Sequence, residues 1–217
     1  MLAVITAMQR EADALLCRCA AQKSYRLCGK AVVLASACGR EFHVVVCGVG
    51  KVNAAAGAQM AIDKLEADAL LNIGVAGGIS SRTALGKVFA IEKAVQYDFD
   101  LSQLNHTKVG TLDEYDSPYL PVLAKSAFPL ATLATGDRFN DSTQDLSLLN
   151  DEFCADIRDM EGAAIAQVAL SAKVPLYMYK AISDVVGGDC VQQYRDNLAR
   201  ALGALTAAVP QILNEVK

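Results

Sequence analysis

Two acidic residues stand where packing alone would place apolar ones. In "DMEGAAIAQVALS" Glu161 precedes a run of small apolar residues, and in "YKAISDVVGGD" an apolar run ends on Asp184. Carboxylates are seldom fully buried unless they are paired or working. The apolar and aromatic approach to Asp184 would desolvate its carboxyl and raise its pKa, which suits it to donate a proton near neutrality. A third acid, Glu11, follows the apolar N-terminal stretch in "AMQREADALL". Each also has a plainer reading: Asp184 as the cap of a following turn, Glu161 and Glu11 as partners of a helix dipole. Taken alone, each acid is accounted for that way; a shared site would need all three at once.

The elements that would position these acids follow from hydrophobic period. Residues 1–7 read as a strand, and Met8, Ala12, Leu15, Leu16 and Cys19 then recur at helical spacing. Strands are expected at 31–37, 42–49, 67–79, 86–98, 129–135, 155–160 and 174–183, with helices at 51–66, 161–172 and from about 190 onward. This alternation predicts an α/β fold with a largely parallel or mixed sheet covered on both faces. In such sheets ligands bind beyond the carboxyl ends of the strands. "AMQRE", "GVGKVN", "NIGVAGG", "DME" and "ISD" are the polar or glycine-rich segments at those ends. Residues 99–128 hold charged and turn-forming clusters and end near Pro118, Pro121 and Pro129, an irregular excursion of the kind that is usually functional or interfacial.

Other motifs point away from cofactor chemistry. "GVGKVN" has Asn53 where a dinucleotide fingerprint needs its third glycine, and Asp68 begins a strand rather than ending one. His43 and His106 lie in no G-x-S-x-G or H-E-x-x-H context; His43 alternates with apolar residues and reads as structural, whereas His106 stays open. The chain has 217 residues, a length that asks for one domain, and its net charge of −4 with scattered Lys and Arg disfavours nucleic-acid partners. Seven cysteines without a CxxC fit neither a disulfide framework nor a zinc ribbon. No secretory leader or membrane span is expected, and the reduced thiols suit a soluble, cytoplasmic protein.

Six segments, "AMQRE" (7–11), "GVGKVNAAAGAQ" (48–59), "NIGVAGGI" (72–79), "TGDRF" (135–139), "DMEGAAIAQVA" (159–169) and "AISDVVGGD" (181–189), together resemble the nucleoside phosphorylase/hydrolase superfamily. They are most similar to its 5′-methylthioadenosine/S-adenosylhomocysteine nucleosidase branch. The resemblance implies one purine nucleoside phosphorylase/hydrolase-like domain over 1–217, with a mixed central sheet flanked by helices. It implies hydrolysis of the N-glycosidic bond of 5′-substituted adenosines, with no metal or organic cofactor, by a homodimer whose 99–128 segment contributes to the partner's 5′ pocket.

The resemblance also assigns roles. Asp184 would protonate N7 of the adenine and accept from its 6-amino group, with Ser183 orienting it. Glu161 would bind the ribose hydroxyls, Met160 would pack on the sugar, and Glu11 would hold and activate the attacking water. Phe139 would stack on the purine and the main chain at Asn140 would read its edge. Val49 and Tyr194 would line the 5′ pocket, and Val75, Ala76 and Gly77 would border the substrate. Departures from the pattern are Asp159 in place of Glu, Val75 where serine is common, and Arg138 where a small residue is usual. Three other readings share these motifs: a phosphorylase, which would place an arginine and a hydroxyl residue where Asn72 and Val75 stand; a futalosine-type hydrolase; and a catalytically silent nucleoside-binding module.

Overall fold

The computed structural model describes residues 1–124, 126–139 and 143–216. Strand β1 (Leu2–Thr6) is buried throughout and feeds helix α1 (Gln9–Leu16). An antiparallel meander follows, β2 (Ala20–Leu27), β3 (Lys30–Ala37) and β4 (Arg40–Val46), then helix α2 (Lys51–Leu65) and strand β5 (Ala69–Gly78). After β6 (Val88–Gln96) come a single helical turn, α3 (Ser102–Asn105), and the two-residue β7 (Leu120–Pro121). The remainder is β8 (Leu130–Thr135), α4 (Thr143–Ser147) running into a π-helical turn at Leu148–Glu152, β9 (Ile157–Asp159), α5 (Gly162–Ala172), β10 (Leu176–Val185) and α6 (Cys190–Glu215).

The mixed sheet predicted from the alternation of elements is present, with a topology the sequence did not disclose. β5 pairs along one edge with β10, β10 with β6, β6 with β8, β8 with β9, and β9 again with β5, so these five strands close on themselves. The other edge of β5 pairs with β1 over Ala69–Asn72, and β1, β4, β3 and β2 continue the sheet from there. β5 therefore changes neighbour from β1 to β9 partway along its length. Such a split opens a crevice at strand carboxyl ends, where ligands bind in sheets of this kind.

Helices cover both faces. Ala54, Ala58 and Ala61 of α2 share one core with Ala163, Ile165, Ala166 and Ala169 of α5. Ala12 and Leu15 of α1 share the other with Ala201, Leu205, Val209 and Ile212 of α6. Small residues on α2 and α5 let these helices approach the sheet and each other closely, which accounts for the alanine-rich stretches.

Three expectations are corrected. β2 was not anticipated, because "AAQKSYRL" is mostly exposed on an edge strand and shows no buried alternation. The strand expected at 155–160 shortens to Ile157–Asp159. The strand expected at 174–183 extends to Val185, so Asp184 lies inside β10 rather than beyond its end. The described residues of the excursion at 99–128 are irregular as expected, apart from α3 and β7.

Candidate active site

The crevice at the carboxyl ends of β1, β5 and β10 holds a cavity of about 580 Å³. Glu11, Glu161 and Asp184 all line it, as do Met160, Phe139, Ser183, Val49, Val75, Ala76, Gly77 and Tyr194. Asn140, also expected here, lies outside the described residues.

Glu11 occupies the third position of α1 and accepts at Oε2 from the main-chain N–H groups of Ala7 and Met8, both at 2.9 Å. This is the reach-back half of a capping box, so the plainer reading of Glu11 holds in part. Its other oxygen, Oε1, accepts at 2.8 Å from the N–H of Val75, on the stretch of β5 between its pairings with β1 and β9. Gly74 makes room for this contact: a Cβ there would lie 2.6 Å from Glu11 Oε1. Burial raises the Glu11 pKa against the opposing pull of Lys180 and the three N–H donors.

Glu161 sits at the N-cap of α5 without capping it. Asp159 serves that end instead, accepting from the N–H of Gly162 at 3.0 Å. The Glu161 carboxylate turns away and accepts at 2.9 Å from Gly50 N. Gly48 and Gly50 adopt φ of 97° and 98°, a region open to glycine and costly for other residues. The turn that falls short of a dinucleotide fingerprint thus aims a main-chain donor at Glu161. Burial, then the neighbouring Asp159, push the Glu161 pKa up to about 7 against Lys180 and the Gly50 N–H.

Asp184 is not a cap either. Asp189 caps α6 by accepting from Gln192 N at 2.9 Å. The register of β10 on β5 slips between Ile182 and Asp184, a bulge of the kind that re-aims side chains beside functional sites. Ser183 Oγ donates to Asp184 Oδ1 at 2.7 Å, and Arg158 Nη2 stands 3.9 Å from Oδ2. Burial raises the Asp184 pKa, while Ser183 and Arg158 pull it down less strongly.

Two cations here were missed by sequence reasoning. Lys180 is wholly buried and its Nζ lies 2.8 Å from Asp159 Oδ2. Burial opposes its charge, but Asp159, Glu161 and Glu11 outweigh that and raise its pKa. Arg158 also lines the cavity. The signal was a lone cation in each buried strand, "LYMYKAIS" and "ADIRD".

At the rim the rings of Phe139 and Tyr194 meet edge-on with centroids 5.5 Å apart, and Tyr194 Oη donates to Met8 Sδ at 3.4 Å. Asp137, two residues before Phe139, accepts from Lys51 N at 2.7 Å and donates its own N–H to Asp98 at 2.9 Å, tying the loop to α2. Asn72, by contrast, points its amide into the core and donates to the Ile5 carbonyl at 2.9 Å, away from the cavity lining. His43 bonds Tyr25 within the meander, as a structural histidine should, and His106 ends α3 outside the cavity lining. Among the described residues no group of three His, Cys, Asp or Glu side chains is placed to hold a metal ion, and no helix is long and apolar enough to cross a membrane.

A family model described as the phosphorylase superfamily matches residues 1–214. The chain is 32% identical to a 5′-methylthioadenosine nucleosidase of Arabidopsis thaliana, over 81% of this chain and 67% of that one. It is 30% identical to a 5′-methylthioadenosine/S-adenosylhomocysteine nucleosidase of Maridesulfovibrio salexigens, over 82% of this chain and 83% of that one. The fold matches the crystal structure of the Helicobacter pylori nucleosidase of the same description with a TM-score of 0.92, at 21% identity, over 99% of this chain and 98% of that one.

Proposed function

Because the chain belongs to the phosphorylase superfamily and, within it, to the 5′-methylthioadenosine/S-adenosylhomocysteine nucleosidase family, we propose that it hydrolyses 5′-substituted adenosines to adenine and the 5-substituted ribose. The substrates are 5′-methylthioadenosine and S-adenosylhomocysteine, with 5′-deoxyadenosine as a further member of the class. The observation that carries this reading is the convergence of Glu11, Glu161 and Asp184 on one cavity.

Breaking the C1′–N9 bond leaves positive charge on the sugar and sends the electron pair to the base. Asp184, whose pKa burial raises, gives a proton to N7, so the base departs neutral. Ionised Glu161 accepts from the ribose hydroxyls and offsets the charge on the sugar. Water adds to C1′ from the opposite face and passes its proton to Glu11, as in inverting glycoside hydrolysis. Phe139 stacks on the purine, Met160 packs on the sugar, and Val49 and Tyr194 border the 5′ group.

A phosphorylase would need an anion site where water attacks. Glu11 already accepts the N–H groups of Ala7, Met8 and Val75 that such an anion would use, and its carboxylate would repel phosphate. Val75 offers only an alkyl side chain there.

The reading extends to a single catalytic domain over 1–217 and to a homodimer, supported by the 80% exposure of Val52 on α2, three residues after the cavity-lining Val49. Residence in the cytoplasm is supported by the exposed thiols of Cys17, Cys28, Cys38 and Cys154, which a reducing compartment would preserve. The test is a product assay with 5′-methylthioadenosine, S-adenosylhomocysteine, 5′-deoxyadenosine and inosine, with and without phosphate. Free adenine and a free 5-substituted ribose are expected; release of no base from any of them refutes the reading.

A further inference from the structure

Arg158 has no part in the mechanism above, yet it is an arginine only 8% exposed in the wall of the cavity. Its β9 position pairs with Gly77 of β5 on one side and with Ala134 of β8 on the other, which fixes where the side chain starts. Gly77 leaves room for it: a Cβ there would lie 3.1 Å from Arg158 Nε and 2.8 Å from Asp184 Oδ2. Among the described residues Nη2 has weak partners, the Cys190 sulfur at 3.5 Å and Asp184 Oδ2 at 3.9 Å. Nη1 is buried with no hydrogen-bond partner among the described residues. A buried guanidinium with donors to spare is costly unless something in the site uses them.

Its place beside Asp184 indicates what that is. The edge of a purine that carries N7 also carries the C6 substituent: adenine shows an acceptor at N7 and a donor at C6, whereas a 6-oxopurine shows two acceptors. Ser183 donates to Oδ1 of Asp184, which leaves Oδ2 as the oxygen facing Arg158. Protonated Asp184 and the Arg158 guanidinium are then two adjacent donors, the complement of N7 and O6. Arginine is the side chain that most often reads this pair of acceptors, because its planar fork spans both.

We infer that Arg158 is a base-reading residue, and that the site accepts 5′-substituted nucleosides of 6-oxopurines as well as those of adenine. The inference rests on the hydrolase reading and widens its substrate class. Bond breaking is unchanged: the C1′–N9 electron pair leaves with the base, N7 takes the Asp184 proton, and water supplies the hydroxyl at C1′. Arg158 adds a hydrogen bond to O6, where part of the departing negative charge collects, so its contribution grows as the bond breaks. With adenine the Arg158 donors face an amino group and make no such bond, while Asp184 still donates to N7.

The test compares 5′-methylthioadenosine with 5′-methylthioinosine, in the wild type and in Arg158→Met and Arg158→Lys. The wild type should cleave both, and Arg158→Met should shift the ratio of the two kcat/KM values toward adenine by about 10- to 100-fold. Arg158→Lys should recover only part of that shift, since a point charge lacks the fork. Equal losses on both nucleosides would reduce Arg158 to a structural role and overturn the inference. Cleavage of 5′-methylthioadenosine but not of 5′-methylthioinosine by the wild type would overturn it too, leaving the hydrolase reading intact. Cleavage of neither defeats the hydrolase reading and the inference with it. Should Arg158→Met fail to fold, product inhibition of the wild type decides: hypoxanthine should compete about as well as adenine, and hypoxanthine without effect refutes the inference.

Discussion

Lys180 Nζ lies 2.8 Å from Asp159 Oδ2, with both side chains buried. The other oxygen of Asp159 accepts from Thr135 Oγ1 at 2.6 Å, and the carboxylate also receives the N–H of Gly162. One residue therefore joins β8, β10 and the start of α5, and the same lysine acts on Glu11 and Glu161. Three acids around one buried cation leave surplus negative charge, which suits a site that must hold a cationic sugar in its transition state.

Removing that cation should be expensive. Lys180→Met leaves Asp159 buried without its counter-ion, and breaking a buried pair from one side costs about 3–5 kcal/mol. Denaturant unfolding of the variant measures this, and the double variant with Asp159→Asn should recover part of the loss because the two residues are coupled. A Lys180→Met protein as stable as the wild type would show that the pair contributes nothing.

Glu161 makes both stability and activity depend on pH. A carboxyl whose folded pKa, about 7, lies above its unperturbed value of 4.5 holds its proton more tightly when folded. Its contribution is complete below about 4.5 and is lost as pH rises through about 7. Glu161→Gln should therefore gain stability relative to the wild type between pH 5 and pH 8, by about 3 kcal/mol at most. In the wild type kcat/KM should rise with pH through an apparent pKa near 7, since only the ionised form accepts the ribose hydroxyls; that value belongs to the coupled cluster rather than to Glu161 alone. A stability difference between variant and wild type that stays constant across this range would refute the assignment.

Much of this arrangement was legible beforehand, for identifiable reasons. β1, β5 and β10 declare themselves as apolar runs, and the acids and glycines at their ends mark where a ligand would sit. What each polar residue does locally was less visible. Asp184 reads as a cap from spacing alone, yet a bulge keeps it in the strand and Asp189 caps α6. Asn72 stands where a phosphorylase would place an arginine, and its amide is spent on the Ile5 carbonyl of the neighbouring strand, a partner that spacing alone does not show. Ring closure through β9 depends on three residues too short to show a period. Lys180 and Arg158 were overlooked because a cation inside an apolar run has meaning only once its acids are placed.

Turnover should not respond to phosphate. The N–H groups at the attack end are taken by Glu11, and Val75 adds no polar side chain. Adenine release from 5′-methylthioadenosine should proceed at the same rate in phosphate-free buffer. Recovery of a ribose 1-phosphate would replace hydrolysis with phosphorolysis.

Val52 tests the proposed dimer. At 80% exposure it is the most exposed of the large apolar side chains among the described residues, and it follows the cavity-lining Val49 by three residues. Light scattering should give a dimer, and Val52→Asp should weaken association and raise KM if a second copy completes the 5′ pocket. A fully active wild-type monomer would count against the dimer.

Asp184→Asn separates chemistry from structure most cleanly. Asn keeps the shape and can still accept from Ser183, but it has no proton to transfer to N7. General acid catalysis is typically worth about 10²–10⁴ in rate, so kcat should fall by that order. Binding should survive better than turnover, because the Phe139 face and the Glu161 carboxylate remain in place. Asn is neutral, the state that burial favours for the carboxyl it replaces, so the melting temperature should hold or rise. Asp184 sits in β10 and caps nothing, so no helix end is loosened by the change. Kinetics and a melting curve on this one variant decide the matter: a stable protein with near-normal turnover would remove Asp184 from the mechanism.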